Sequence, residues 1–426
     1  MTTRLRTPRA IVLDLAHPRA VAVVRSLARS GIEVVGIDHR PNATGFYSKH
    51  LSRRILLEGD DYEGALARAL AGLAADGRGG LLLPTADAPN VFVSRHRDAL
   101  ARHFGHYAVP WSVLELCMDR EASYAVASEL GIRVPESHAP KDAAELDALL
   151  AGLDFDASDW VLKTRVWDVP ADAERNRYTL APVQEAAAFR RAWCEIAARA
   201  AVPPTLERVV PGGSDDCLGV SLVMRADGEP AVAYCIRRLH MYTYARGGRY
   251  THPYQMGANV YCESVHDDEA LGAALALVRR IGWTGAMTVE FRRDPRDGAL
   301  TFIKLDPRVI RSTTLAARLG MDVPRALYRC FALGEPVAPC DYPDRVRWMW
   351  VSQYLAALQQ NATLRGLAAE TARLLAILPG VRAFAYASLR DPLPFVKSLV
   401  YQVPVAKRAF RRGLRRLARR RIVPTG

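Results

Sequence analysis

Between Gly282 and Arg308 the chain reads GWTGAMTVEFRRDPRDGALTFIKLDPR, and acidic and basic residues recur in it at the two-residue spacing of a β-strand. Thr288, Glu290 and Arg292 fall on one face of a first strand, and Phe302, Lys304 and Asp306 on one face of a second. Asp297-Gly298 between them signals the turn of a hairpin. Two neighbouring strands that each turn a carboxylate to the same side offer hard oxygen ligands, the chemistry that holds Mg²⁺ against nucleotide phosphates. Glu290 and Asp306 are therefore the candidate metal ligands, and Arg308, just past the strand end, is placed to meet an anion.

Other charged residues stand at strand ends. Lys163 closes Trp160-Val161-Leu162-Lys163; a lone lysine after three apolar residues is more often a strand-end surface lysine than a point charge for phosphate. Arg237 and Arg238 end another strand. His240, Arg246, Arg249 and His252 follow, interleaved with Tyr242, Tyr244, Tyr250 and Tyr254, a mixture suited to a polar, anionic substrate. Alternating Tyr and Arg also occurs where single-stranded nucleic acid stacks, but one loop is shorter than such a site needs.

These residues need elements to position them. The apolar runs IVLDLA, EVVGID and LLLPT, with helix-like stretches at 20–30 and 62–75, predict an N-terminal doubly wound α/β unit without a GxGxxG turn. Asp87 follows the third run at a strand end, as a binding residue or as a cap. Helices over 119–130, 142–150 and 183–200 and the strands DWVLKT and TLERVV come next. A meander at 218–224 and 230–237, a helix at 267–281 and the hairpin complete the pattern. Residues 348–380 read as helical.

With 426 residues, half of them apolar, the chain is globular and large enough for several compact units. Its seven cysteines are scattered and show no CxxC spacing, which argues against a disulfide framework and a structural zinc site and suggests a reducing cytosol. The N-terminal apolar run is too short for a secretory signal, and no segment has the length of a membrane span. The formal charge of +13 is concentrated at the end, since every charged residue from Lys397 to Arg421 is Lys or Arg. Nucleic-acid binding by the core has no support from composition. In this tail Ala406, Phe410, Leu414 and Leu417 form a narrow apolar stripe among arginines, the pattern of a helix in an anionic membrane interface, or else of a disordered basic end.

The conjunction of VLK, ERVVPGG, VEF and DPR, in that order, resembles the ATP-grasp superfamily, and specifically its carboxylate-amine ligase branch, the D-aspartate ligase-like proteins. The resemblance runs to about residue 340. It implies an α/β and α+β chain: a Rossmann-like pre-ATP-grasp domain over 1–113, a small lobe over 114–205, and a large lobe with the metal site over 206–340. A helical extension over 341–404 and the basic tail over 405–426 follow. It further implies ATP with Mg²⁺ or Mn²⁺, and a ligase that activates a small carboxylate as an acyl phosphate for attack by an amine, in the cytoplasm or on the inner membrane face. Lys163 and Arg120 would neutralise phosphate, with Arg120 where the family normally has lysine. Glu207, Arg208, Val209 and Val210 would form the adenine hinge, and Asp215 or Asp216 would hold the ribose unless they only close a turn. Arg308, Arg237 and Lys304 would serve catalysis. The family strand reads Glu-x-Asn-Pro-Arg, whereas this one reads Lys304-Leu305-Asp306-Pro307-Arg308. Such a site is either a working one-metal site, with Lys304 replacing a cation, or that of a pseudoenzyme that binds nucleotide as sensor or scaffold. The residues between 164 and 178, which would cover the phosphates, contain no glycine.

Overall fold

The computed structural model describes residues 8–153, 160–163, 165, 186–198, 202–242, 258–358, 364–402 and 423–424. At the N-terminus, β1 (Ala10–Leu13), β2 (Val34–Asp38), β3 (Arg53–Leu56) and β4 (Leu81–Pro84) pair in parallel in the order β3-β2-β1-β4. Their near-continuous apolar runs suit a sheet covered on both faces. Helix α1 (Pro18–Arg29) covers one face, and α2 (Tyr62–Ala74) and α3 (Asp87–Arg95), with the short α4 (Arg97–Leu100) after it, lie on the other. The last two described residues, Val423–Pro424, pair with the β3 edge.

Helices α5 (Trp111–Met118) and α6 (Arg120–Glu129) lead to a small lobe of β5 (Ser137–His138), α7 (Ala143–Gly152), β6 (Trp160–Lys163), α8 (Ala186–Ala197) and β7 (Thr205–Arg208). Its three strands are antiparallel in the order β5-β7-β6. Trp160, Leu162 and Leu206 on one face pack with Leu146, Phe189 and Trp193 of the two helices. Period-two alternation therefore turns Val161, Lys163, Thr205 and Glu207 to the opposite face.

The large sheet joins β8 (Cys217–Met224), β9 (Pro230–Tyr242), β10 (Ala258–Val265), β11 (Gly285–Arg293) and β12 (Leu300–Asp306). One face packs on α9 (Asp268–Arg280), capped by Asp267, and on α5 and α6. The helix expected to open the small lobe thus rests on the large sheet, where Tyr124 meets Phe302 edge-on at 5.8 Å. The other face meets α1, α10 (Thr313–Ala316) and α11 (Val323–Ala332), in a core shared with the N-terminal domain.

The extension is not wholly helical. β13 (Arg347–Met349) precedes α12 (Val351–Leu358) and α13 (Leu364–Ile377), and β14 (Val381–Phe384) runs between α13 and α14 (Leu393–Gln402); the two strands lengthen the large sheet to seven strands in the order β12-β11-β8-β9-β10-β13-β14. Asp391 then ties this segment to the N-terminal domain. Its carboxylate accepts from Arg25 Nε at 2.9 Å, Ser48 Oγ at 2.8 Å and the Lys49 N–H at 3.0 Å. No described helix is long and apolar enough to cross a membrane. The amphipathic stripe of the tail, most of the glycine-free stretch between 164 and 178, and Arg246, Arg249 and His252 with Tyr244, Tyr250 and Tyr254 lie outside the described residues.

Candidate functional site

On the inner face of the small lobe the Lys163 ammonium pairs with Glu207, on the neighbouring strand. Glu207 Oε2 also accepts from Tyr124 Oη at 2.7 Å and lies 3.8 Å from Arg120 Nη1. Arg120 opens α6, whose N-cap Asp119 accepts the Glu121 and Ala122 N–H groups and pairs with Arg165 at 3.0 Å. Burial pushes the Lys163 amine down to about 8, against the pull of Glu207. Burial also raises the Glu207 carboxyl, but Lys163 and Arg120 outweigh it and hold it below the usual carboxylate range. Two cations thus share one carboxylate, leaving a positive charge for an incoming anion.

The remaining hinge residues divide. Arg208 points outward to Glu136, 3.3 Å away. Val209 is buried, and the Val210 carbonyl accepts from Arg292 Nη1 at 2.8 Å. Asp216 closes the turn by accepting the Gly213 N–H at 2.7 Å; Gly212 there has φ +121°, and an added Cβ would meet Asp216 Oδ2 at 2.5 Å. Asp215 is exposed and borders an open cavity of about 510 Å³ with His240, Tyr261, Arg347 and Arg373.

Glu290 and Lys304 are paired across the β11–β12 hairpin, as the spacing predicts. Phe302, expected beside Lys304, faces the other way. Register shifts after Glu290, so that Ile303 is an extra residue, a β-bulge, and Phe302 pairs with Phe291 in the core. The Ile303 carbonyl accepts from Arg120 Nη1 at 3.3 Å and Tyr124 Oη at 3.1 Å, joining the bulge to the small-lobe cluster.

A line of alternating charges crosses this wall. Arg238 pairs with Glu290. Lys304 Nζ is 3.7 Å from Glu290 Oε1 and 3.0 Å from Asp306 Oδ2. Arg308 reaches Asp306 Oδ1 at 2.7 Å and Asp87 Oδ1 at 3.3 Å. Burial raises the Asp306 carboxyl, but Arg308 and Lys304 outweigh it and hold it well below the usual range. Arg237, expected in the site, is on the opposite face, paired with Glu263 at 2.7 Å. Adjacent strand residues point to opposite faces, so only Arg238 of the pair reaches the wall. Of the two arginines at this strand end, alternation alone does not say which faces the site, and no sequence signal marks Tyr124.

The residues present do not fit a divalent ion. Both Asp306 oxygens are engaged by Lys304 and Arg308, and Glu290 is held between Arg238 and Lys304. Among the described residues no group of three or more His, Cys, Asp or Glu could hold a metal.

No family model and no curated protein matches the sequence. Solved structures do match. N5-carboxyaminoimidazole ribonucleotide synthetase in complex with ADP is similar with a TM-score of 0.61 and 15% identity, covering 84% of this chain and 86% of that one. The synthetase of that name from Thermus thermophilus has a TM-score of 0.56 and 19% identity, covering 79% and 81%. The biotin carboxylase domain of Hydrogenobacter thermophilus 2-oxoglutarate carboxylase, in complex with MgADP, ADP and bicarbonate, has a TM-score of 0.59 and 15% identity, covering 80% and 74%. These are ATP-grasp enzymes, and this chain has the ATP-grasp fold.

Proposed function

We propose that the protein binds ATP between its small lobe and large sheet and uses it to join a small carboxylate to an amine. The buried Lys163–Glu207–Arg120 cluster, joined through the Ile303 carbonyl to the strand that carries Lys304, carries this reading, because it gathers cations next to the charged wall of the hairpin in a fold whose relatives were crystallised with ADP. The substrate carboxylate would attack the γ-phosphoryl group, breaking its bond to ADP and forming an acyl phosphate. The amine would then attack the acyl carbon, with phosphate leaving. Lys163 and Arg120 would neutralise the phosphates, and Arg238 and Arg308 would orient the carboxylate and hold the charge that develops on the transferred group. Lys304 would supply fixed positive charge where the family places a metal ligand.

The closed ion-pair line from Arg238 to Asp87 favours a second reading, a pseudoenzyme that binds nucleotide without turning it over. Binding and turnover separate the two. A millimolar ADP thermal shift is expected under both, with stabilisation of about 2.7 kcal/mol at a hundredfold excess over Kd. Absence of any shift removes both. ADP release in a screen of amino acids, polyamines and small carboxylates establishes the ligase, whereas binding without release across the screen favours the pseudoenzyme.

A further inference from the structure

At the C-terminal ends of β1 and β4 the N-terminal sheet reverses its strand order, the place where open α/β sheets form a crevice. Helix α1 begins here. Its N-cap, His17, makes no side-chain capping bond, and Pro18 follows. The loop after β12 docks onto the same strand ends, with Asn90 Nδ2 donating to the Pro307 carbonyl at 2.7 Å and Arg308 reaching Asp87.

The carboxylates of this crevice are already taken. Asp14 and Asp38 both pair with Arg40, and Asp87 and Asp306 with Arg308. Two other arginines have no acidic partner among the described residues. Arg19 is 4% exposed and donates Nε to the Thr85 carbonyl, its one hydrogen bond among the described residues. Arg311 is half-buried, and its Nε is buried without a hydrogen-bond partner. A buried guanidinium without a carboxylate is costly unless an anion completes it. Burial and the charges of Arg308 and Arg311 push Arg19 down to about 9, against the weaker pull of Asp87 and Asp14, which form no ion pair with it. Burial, then Arg19, Arg311, Arg40 and Arg308, holds His17 well below the usual imidazole range, so its ring is neutral and adds no competing charge.

We propose that this crevice binds the oxyanion of a small molecule, a dicarboxylate or a phosphomonoester, through Arg19, Arg311 and the N-terminal end of α1. The planar forks of the two arginines suit either oxyanion. The site uses neither Lys163 nor Glu207 and stands independently of the nucleotide reading. On the ligase reading it anchors the remote anion of the substrate, leaving its reacting end beside Arg308.

Calorimetric titration of the full chain with inorganic phosphate and with succinate, at constant ionic strength with sodium chloride as control, tests this. Saturable binding of at least one is expected, and Arg311→Gln should weaken it about tenfold or more. Arg19→Gln should act in the same direction; Arg311 is half-buried, so its variant serves even where Arg19→Gln does not fold. Lys163→Met should lose ADP binding and keep the anion affinity. A preference for phosphate assigns a phosphomonoester, and one for succinate a dicarboxylate. Binding of neither, binding unchanged in Arg311→Gln, or equal loss in Lys163→Met overturns the proposal. Arg311-dependent anion binding without any ADP binding supports it and removes the nucleotide reading alone.

Discussion

Lys304 faces Glu290 across the β11–β12 hairpin, with Nζ 3.7 Å from Glu290 Oε1, while the same ammonium contacts Asp306 at 3.0 Å. The pair that would otherwise repel, or draw in a divalent ion, is neutralised by a side chain. ADP affinity of the wild type should therefore change little between EDTA and millimolar Mg²⁺. Lys304→Glu exchanges a cation for an anion, and opposed charges 4 Å apart are worth roughly 4 kcal/mol at an effective dielectric of 20. Affinity without metal should fall about tenfold or more, and Mg²⁺ should restore it. Calorimetric titration at several Mg²⁺ concentrations checks this, and superimposable curves for the two proteins would place Lys304 outside the nucleotide site.

Lys163 supplies a pH test. With its amine pushed down to about 8, the free protein holds the proton below that pH and loses it above. An adjacent phosphate favours the protonated form, so binding takes up a proton in the alkaline range. ADP affinity should be level below about pH 8 and fall above it by at most tenfold per unit. Lys163→Arg, charged throughout, should flatten the profile. A decline of equal slope in the variant would assign it to another group.

Gly285 starts β11 with φ +81°, and an added Cβ would lie 2.1 Å from the Tyr107 ring. Gly285→Ala combines left-handed strain with a clash in the buried seam between the two domains. A loss of about 3 kcal/mol or more is expected in urea unfolding. Gly282, at φ +67° with no atom within 4 Å of its Cβ position, provides the contrast. Gly282→Ala should cost only about 1–2 kcal/mol.

The Arg25–Asp391 pair is buried, at 5% and 2% side-chain exposure. Removing one partner strands the other, so Asp391→Ala should cost about 3–5 kcal/mol near neutral pH. Burial raises this carboxyl, but the Lys49 N–H, Arg25 and Ser48 outweigh it and hold it below 3.8. A depressed folded pKa means stability present above 3.8 and lost as pH falls through the folded value. The gap between wild type and Asp391→Ala should narrow in acid, as denaturant midpoints at neutral pH and below about pH 4 would show.

Local pattern made much of this architecture legible. β1, β2 and β4 lie in the apolar runs, Lys163 and Glu207 fall on one face of paired strands, and Glu290 opposes Lys304, all from period-two alternation. Where one residue shifts the phase, alternation misleads: the Ile303 bulge turned Phe302 into the core while leaving Lys304 and Asp306 in place. β13 and β14 were hidden for another reason. They have three and four residues, and β13 pairs with β10, far earlier in the chain, so their strand character comes from tertiary hydrogen bonds rather than from RWM or VRAF themselves. Partner choice was equally invisible. That Arg308 and Lys304 neutralise Asp306, while nothing acidic among the described residues remains for Arg311, follows from how distant segments dock.

The bond from Arg25 to Asp391 spans 366 positions of sequence. During synthesis, which runs from the N-terminus, Arg25 emerges long before its carboxylate exists, and at roughly 5–20 residues per second the wait lasts tens of seconds. Helix α1 cannot bury that guanidinium in its final seat without leaving an unpaired charge. The N-terminal α/β domain is thus finished late: its parallel strands can pair early, but its locking step awaits the synthesis of Asp391. Truncating the C-terminus before Asp391 would therefore damage the opposite end of the molecule.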